Sequence, residues 1–300
     1  MSQMREFFTK CGKKIKDFFA KMTVEVNEKE DKEGWSLGDL LATVLRTMKL
    51  LWDVLLVFAL GGLLFGAGIA IGYAASLFNE TETPEPTQLV QQVRNISSVS
   101  KISYSDGSII SDIDSDLIRI PVQKDAISDN VKKAVIATED ENFNSHNGVV
   151  PKAVIRATLG SVAGVGSSSG GSTLTQQLIK QQVVGDAPTF SRKAAEIIDA
   201  LALERVMDKD EILTTYLNVS PFGRNNRGQN IAGVEAAAQG IFGVSAKDLT
   251  IPQAAFIAGL PQSPIVYSPY ASDGSLKTQE NQALGLDRAK DVLYNMYRTG

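Results

Sequence analysis

The stretch SDNVKKAVIATEDENFNSHNG, residues 128 to 148, sets the fold class of the larger part of this chain. Val131, Ala134, Val135 and Thr138 recur at the spacing that places them on one helix face, so the stretch predicts a helix that delivers Glu139 and Asp140 at its C-terminal end. Beyond them lies a loop with His146, the one histidine among 300 residues. A carboxylate at a helix end, at the mouth of a loop, could serve as a base, and the same residues also suit an ordinary solvated helix end. A single histidine with no second histidine or cysteine beside it is too small a ligand set for zinc. A calcium loop would need regularly spaced oxygen ligands and a glycine turn. His146 is therefore read as structural, bonding loop backbone near Gly148.

Working outward, the segments 191 to 207, 209 to 217, 230 to 242, 250 to 259 and 286 to 297 have helical length and few β-branched runs. The fold class expected is mainly α. On the N-terminal side, SKISYSDGSIISDI carries two β-prone runs about Asp106-Gly107, a hairpin signal, and NETETPEPT before it suits a short extended spacer. Further back, VLLVFALGGLLFGAGIAIGYAASLF runs 25 residues from Val54 to Phe78 without a charge, enough to cross a ~30 Å hydrocarbon core. Residues 1 to 49 hold ten Lys and Arg, whereas residues 79 to 110 hold only Arg94 and Lys101. That asymmetry predicts a cytoplasmic N-terminus and an extracytoplasmic remainder in the cell membrane. The segment from Arg5 to Met22 alternates phenylalanines and lysines at helical spacing, as a helix lying on an anionic leaflet would. The pairs Gly62/Gly66 and Gly68/Gly72 fit helix association, which makes a homodimer through this helix one expectation. A net charge of -4 argues against nucleic acid as a partner, and the lone Cys11 excludes an internal disulfide framework. The domains expected are 1–49 (cytoplasmic tail), 50–78 (transmembrane helix), 79–127 (spacer and β-hairpin) and 128–297 (a folded, mainly helical domain).

Three more islands carry polar chemistry. In GGSTLTQQLIKQQ, Thr173 and Gln176 form a capping box that opens a helix, with Thr173, Gln176, Gln177 and Lys180 on one face opposite Leu174 and Leu178. That face suits a phosphate or sugar ligand, or simply water. In SRKAAEIIDALALE, Glu196 is surrounded by apolar positions, so its carboxylate must be paired, neutral or facing a cleft; Arg192 is a ready partner. In NVSPFGRNNRGQNIAGVEAAAQGIFG, a Gly/Asn-rich loop with Arg224 and Arg227 leads into a small-residue helix expected to begin near Ile231.

Taken in order, EDENFNSHNG, GGSTLTQQLIK, RKAAEIIDALALE, KDEILTTYLN, GVEAAAQGIFG and DLTIPQAAFIAGLPQSPIVYSP resemble the peptidoglycan glycosyltransferase domain of class A penicillin-binding proteins, over roughly residues 130 to 297. The resemblance implies a mainly α, lysozyme-like domain with a smaller membrane-apposed lobe, which polymerises lipid II. It assigns Glu139 as the catalytic glutamate and Glu196 as the second essential one. It places Lys180, Arg192 and Lys193 near the lipid pyrophosphate and Ser172, Thr173, Gln176 and Gln177 along the cleft. Arg156 precedes a mobile flap, and Asp140, Phe143 and Asn218 complete the substrate-binding set. The chain departs from the family pattern at Ile241, Gln253 and Pro188. Residues 298–300 stand where the family passes into a linker, so the transpeptidase domain is expected to be absent.

The implied reaction is one inverting displacement: Glu139 takes the proton from the 4-hydroxyl of the acceptor N-acetylglucosamine, which attacks the anomeric carbon of the donor while undecaprenyl pyrophosphate departs. No cofactor is required, although a divalent cation, magnesium or manganese, could assist the departing pyrophosphate. The partners implied are lipid II, the growing lipid-linked glycan strand, membrane lipids and other cell-wall synthesis proteins. A lysozyme-like hydrolase or lytic transglycosylase and a non-catalytic envelope scaffold are the rival classes.

Overall fold

A computed structural model describes residues 37–80, 84–96, 101–104, 109–112, 117–154 and 171–300, with isolated positions 13, 16, 17 and 20. The amphipathic segment near the N-terminus, the Asp106-Gly107 turn, Arg156 and most of the glycine-rich stretch after it lie outside the described residues. The chain divides into two units, Met1–Ala74 and Ala75–Gly300.

In the first unit the apolar run belongs to a helix, α1 (Leu37–Glu80), 44 residues long and so starting well before Val54. Its portion Leu37–Tyr73 is long and apolar enough to cross a membrane. Its side chains are bare: Phe58, Phe65 and Ile71 all expose more than two thirds of their surface.

The second unit begins with α2 (Pro86–Arg94), within the segment expected to be spacer and hairpin. Pro86 suits the first helical turn, and Leu89 and Val93, four residues apart, are both fully buried in the core. Strands β1 (Lys101–Ser103) and β2 (Ile109–Asp112) pair antiparallel, the hairpin read around Asp106-Gly107. A second sheet has three strands, β3 (Leu117–Arg119), β4 (Pro221–Arg224) and β5 (Asn230–Ala232). In it β5 is central, parallel to β3 and antiparallel to β4.

The remaining elements are α3 (Asp129–Glu139), α4 (Leu174–Ile179, widened into a π turn over Lys180–Val184), α5 (Phe190–Leu203) and α6 (Lys209–Val219). Then come α7 (Val234–Ala237, prolonged by a π turn over Ala238–Phe242), α8 (Ile251–Gly259), α9 (Pro264–Tyr267) and α10 (Gln279–Thr299). Caps are chemically explicit. Ser128 accepts from Asn130 N–H, Asp208 and Glu211 form a capping box, and Gln253 accepts from both the N–H and the hydroxyl of Thr250.

Two sequence expectations change. The helix predicted over 230 to 242 starts only at Val234, because Asn230–Ala232 is taken up by pairing on both sides as β5; Ile231, 1% exposed, is sheet core. The last helix starts at Gln279 rather than 286, behind Thr278. Helices α3, α8 and α10 pack on one another, α4 packs against both α5 and α6, and one core cluster runs through both groups. Tyr216, Phe143 and Phe222 are its largest fully buried side chains.

Among the described residues one buried carboxylate oxygen is left without a hydrogen-bond partner. Asp199 on α5 is 2% exposed, its Oδ1 has no hydrogen-bond partner, and burial pushes its carboxyl up to about 6. An unfolded Asp titrates near 3.9, so the folded state keeps a proton that the unfolded state has already lost. Stability should therefore fall as pH rises from about 4 to about 6 and stay lowered above that, by on the order of 2–3 kcal/mol. Melting curves of Asp199→Asn against the unsubstituted protein check this: the gap in favour of the variant should open between about pH 4 and 6, and a gap independent of pH would contradict it.

Candidate active site

The end of α3 is fixed by one carboxylate. Asp140, 8% exposed, accepts from His146 Nε2 at 3.0 and 2.9 Å through its two oxygens and from Leu174 N–H at 3.0 Å. The other ring nitrogen, Nδ1, accepts from Gly148 N–H at 3.1 Å, so the imidazole proton is on Nε2. Gly148 has φ +86°, and a Cβ there would meet Ala200 O at 2.6 Å, which is why the loop can lie directly on α5. Phe143, 1% exposed, packs edge-on to the imidazole at 6.2 Å, and Lys209 Nζ lies 4.4 Å over its ring. Lys209 also donates to His146 O at 2.8 Å and pairs with Glu204. The reading of His146 as a brace for the loop near Gly148 matches these bonds.

Above this base sits Glu139. Gln177 Nε2 donates to Glu139 Oε2 at 2.9 Å, and the Tyr216 hydroxyl donates to Gln177 Oε1 at 3.1 Å. Tyr216 is fully buried, and burial first, then the negative charge of Glu139, push its hydroxyl far above the usual tyrosine range. It stays a donor, which fixes the orientation of the Gln177 amide. On the other side Arg288 Nη2 lies 3.7 Å from Glu139 Oε1, with 17% and 13% of the two side chains exposed. A Cβ on Gly259 would come within 2.9 Å of Arg288 Cγ, so that glycine leaves room for the arginine stem to cross α8.

A cleft of about 290 Å³ opens beside Glu139, lined also by Asp140, Ser172, Thr173, Asn295 and Arg298. Arg298 bridges its rim to Glu141 at 2.5 Å. Thr173 caps α4 and donates to Gly148 O at 2.5 Å, and Gln176 closes the capping box; at 2% and 1% exposure both lie inside the protein. The face of α4 that could have been solvated is thus buried at Thr173 and Gln176, partly buried at Gln177 and half-exposed at Lys180. Ser172 links the cleft to a second cluster: Lys193 Nζ donates to Ser172 Oγ at 2.8 Å and pairs with Glu196. Arg192 Nη1 meets the other Glu196 oxygen at 2.5 Å, and the Glu196 side chain is 2% exposed. Glu196 is therefore a buried, doubly paired carboxylate, the first of the three states its apolar sequence context allowed.

The predicted residues do not all converge. Glu139, Asp140, Ser172 and Thr173 line the cleft, Gln177 is tied to it through Glu139, and Lys193, Arg192 and Glu196 join them through Ser172. Phe143 lies beneath the loop. Asn218 stands apart, because its amide donates to Val122 O and accepts from Val122 N–H, both at 2.9 Å, which ties α6 to the segment after β3. Arg156 lies outside the described residues. Sequence reading passed over Tyr216, Arg288, Asn295 and Arg298; a tyrosine on an otherwise apolar helix face was the one local signal for the first of these.

Residues 106–297 match the family model described as Transglycosylase. The chain is 37% identical over 216 residues to penicillin-binding protein 1A of Clostridium perfringens (strain 13), covering 70% of this chain and 30% of that protein. It is 38% identical over 238 residues to penicillin-binding protein 1A of Clostridium botulinum (strain Langeland), covering 78% and 27%. With the protein of that name from Streptococcus oralis it shares 33% over 247 residues, covering 81% and 36%. The chain thus spans about a third or less of the length of these curated relatives. Its matched region, carrying the Glu139 cleft and the Glu196 cluster, places the chain in the transglycosylase family.

Proposed function

We propose that this chain polymerises lipid II into peptidoglycan glycan strands by inverting glycosyl transfer, releasing undecaprenyl pyrophosphate. The observation that carries the reading is the join at Ser172 between a cleft with one hydrogen-bonded glutamate and a cationic cluster built on a second. Glu139 is the base. Gln177 and Arg288 hold its carboxylate in place while one side faces the cleft, where an acceptor 4-hydroxyl can hand over its proton as its oxygen bonds to the donor anomeric carbon. The C–O bond to pyrophosphate breaks on the opposite face, and the charge it releases is met by Lys180, Arg192 and Lys193. Glu196 keeps the last two cations oriented and offsets their mutual repulsion. Among the described residues there is no group of three or more His, Cys, Asp or Glu that could hold a metal ion, and a divalent cation assisting the departing pyrophosphate would have to be carried largely by the pyrophosphate itself. Helix α1 serves as the membrane span that keeps the domain at the leaflet where a lipid-linked substrate enters, with the N-terminus cytoplasmic.

Incubation with lipid II and, separately, with finished glycan tests the reading. Polymer from the first and no cleavage of the second is the expected result, and cleavage of finished strands without polymerisation would overturn it. Glu139→Gln should fold normally, bind lipid II and lose about 10²–10⁴-fold in rate. Glu196→Gln should in addition lower thermal stability and donor affinity, since it leaves Arg192 and Lys193 short of counter-charge. Arg288→Met leaves Glu139 without its facing cation; we expect a loss of about 1–3 kcal/mol in stability and a lower kcat, read from melts and polymerisation kinetics together.

A further inference from the structure

The three cations assigned above to the leaving group are already occupied in the protein on its own, and one of their partners differs from the others. Arg192 and Lys193 are held by Glu196, whose side chain is 2% exposed. Lys180 pairs instead with Asp186 Oδ1 at 2.7 Å, and the Asp186 side chain is 87% exposed. A sharp turn makes this pairing. Gly185, at φ +73°, ends the π turn of α4 with its N–H bonded to Lys180 O at 3.0 Å, so the next residue comes back toward the lysine. One residue further, Ala187 O accepts from Arg192 Nε at 2.5 Å and from Thr189 N–H at 2.9 Å. The strap from Gly185 to Thr189 therefore supplies a carboxylate to one cation and a carbonyl to another. Hydrogen bonding and charge from Lys180, with a smaller contribution from Arg192, hold the Asp186 carboxyl below the usual carboxylate range. It is an anion at any pH near neutrality.

We propose that Asp186 sets the affinity of the site for its anionic substrate, acting as an internal counter-anion on Lys180 that the diphosphate of the lipid donor must displace. The proposal rests on the polymerase reading of the site. Displacement is inexpensive because an ion pair this exposed is weak and its carboxylate is already in water. The incoming group carries more charge and can engage Lys180 and Arg192 together, releasing both from the strap. While it is undisplaced, Asp186 also repels a second anion from the same lysine, so the residue weakens binding without touching the bonds that change.

Asp186→Asn in the full chain tests this by kinetics on lipid II and by calorimetric binding of inorganic pyrophosphate. The KM for lipid II and the Kd for pyrophosphate should both fall, by about three- to tenfold at low ionic strength, with kcat unchanged. The gain should shrink as salt is raised. In a Lys180→Met background the same substitution should lose most of its effect on both constants, keeping only the smaller part that acts through Arg192, which a merely structural role of the strap would not predict. Unchanged or higher constants in Asp186→Asn, or an equal gain without Lys180, would overturn the proposal. Failure of the unsubstituted protein to polymerise lipid II, with the pyrophosphate result intact, would instead sink the polymerase reading and leave Asp186 as a governor of anion binding alone.

Discussion

The buried carboxylate of Asp140 is the interaction on which the site depends. It receives one bond from the imidazole of His146 and another from the first N–H of α4, and so joins the end of α3, the loop after it and the start of the next helix at one point. A carboxylate that deep is tolerated because both of its oxygens accept from the imidazole and one of them also from a backbone N–H. The chain cannot leave α3 in any other direction without stranding that charge, and Glu139, one residue before, is carried to the cleft as a consequence. His146 transmits the same constraint to Gly148, whose carbonyl in turn takes the hydroxyl of Thr173.

Around that point two glutamates have opposite surroundings, and the contrast gives each its proposed task. Glu139 has a neutral amide on one oxygen and a guanidinium at 3.7 Å from the other, with a cleft beside it, so it is held but not saturated. Glu196 is consumed by two cations and has almost no surface, so it has no room to take a proton from a sugar. A base needs the first arrangement, and a framework for cations needs the second. Lys180 is intermediate: its partner Asp186 is solvated and can be exchanged.

Much of this was legible in the sequence, for identifiable reasons. The face of Val131, Ala134 and Val135 predicted α3 and all three are fully buried; the capping box at Thr173 and Gln176 is present atom for atom; and Arg192, one turn before Glu196, was the ready partner that its apolar setting called for if the carboxylate was to be paired. What failed has a common cause in long-range pairing. Asn230–Ala232 looked like the start of a helix because three residues carry little propensity of their own, and only pairing with β4 on one side and with β3, more than a hundred residues earlier, on the other makes them a strand. Leu89 and Val93 lie in a stretch too short and polar to announce a core helix. Arg288 is one cation among several on an amphipathic helix, and nothing in its neighbours in sequence says that it reaches Glu139.

The most direct test of the account is Asp140→Asn, followed by melting and by single-turnover polymerisation of lipid II. An asparagine whose oxygen takes the place of Oδ2 still accepts from Leu174 N–H and from His146 Nε2, but its NH2 then stands where Oδ1 was, 3.0 Å from the same imidazole N–H, donor against donor. Moving the imidazole proton to Nδ1 relieves that only by setting it against Gly148 N–H. The substitution removes the carboxylate charge and one of the two contacts to the imidazole and adds a donor–donor clash, so the melting temperature and the single-turnover rate should fall together. A variant that melts with the unsubstituted protein and transfers at its rate would show that Glu139 is presented by something other than this carboxylate.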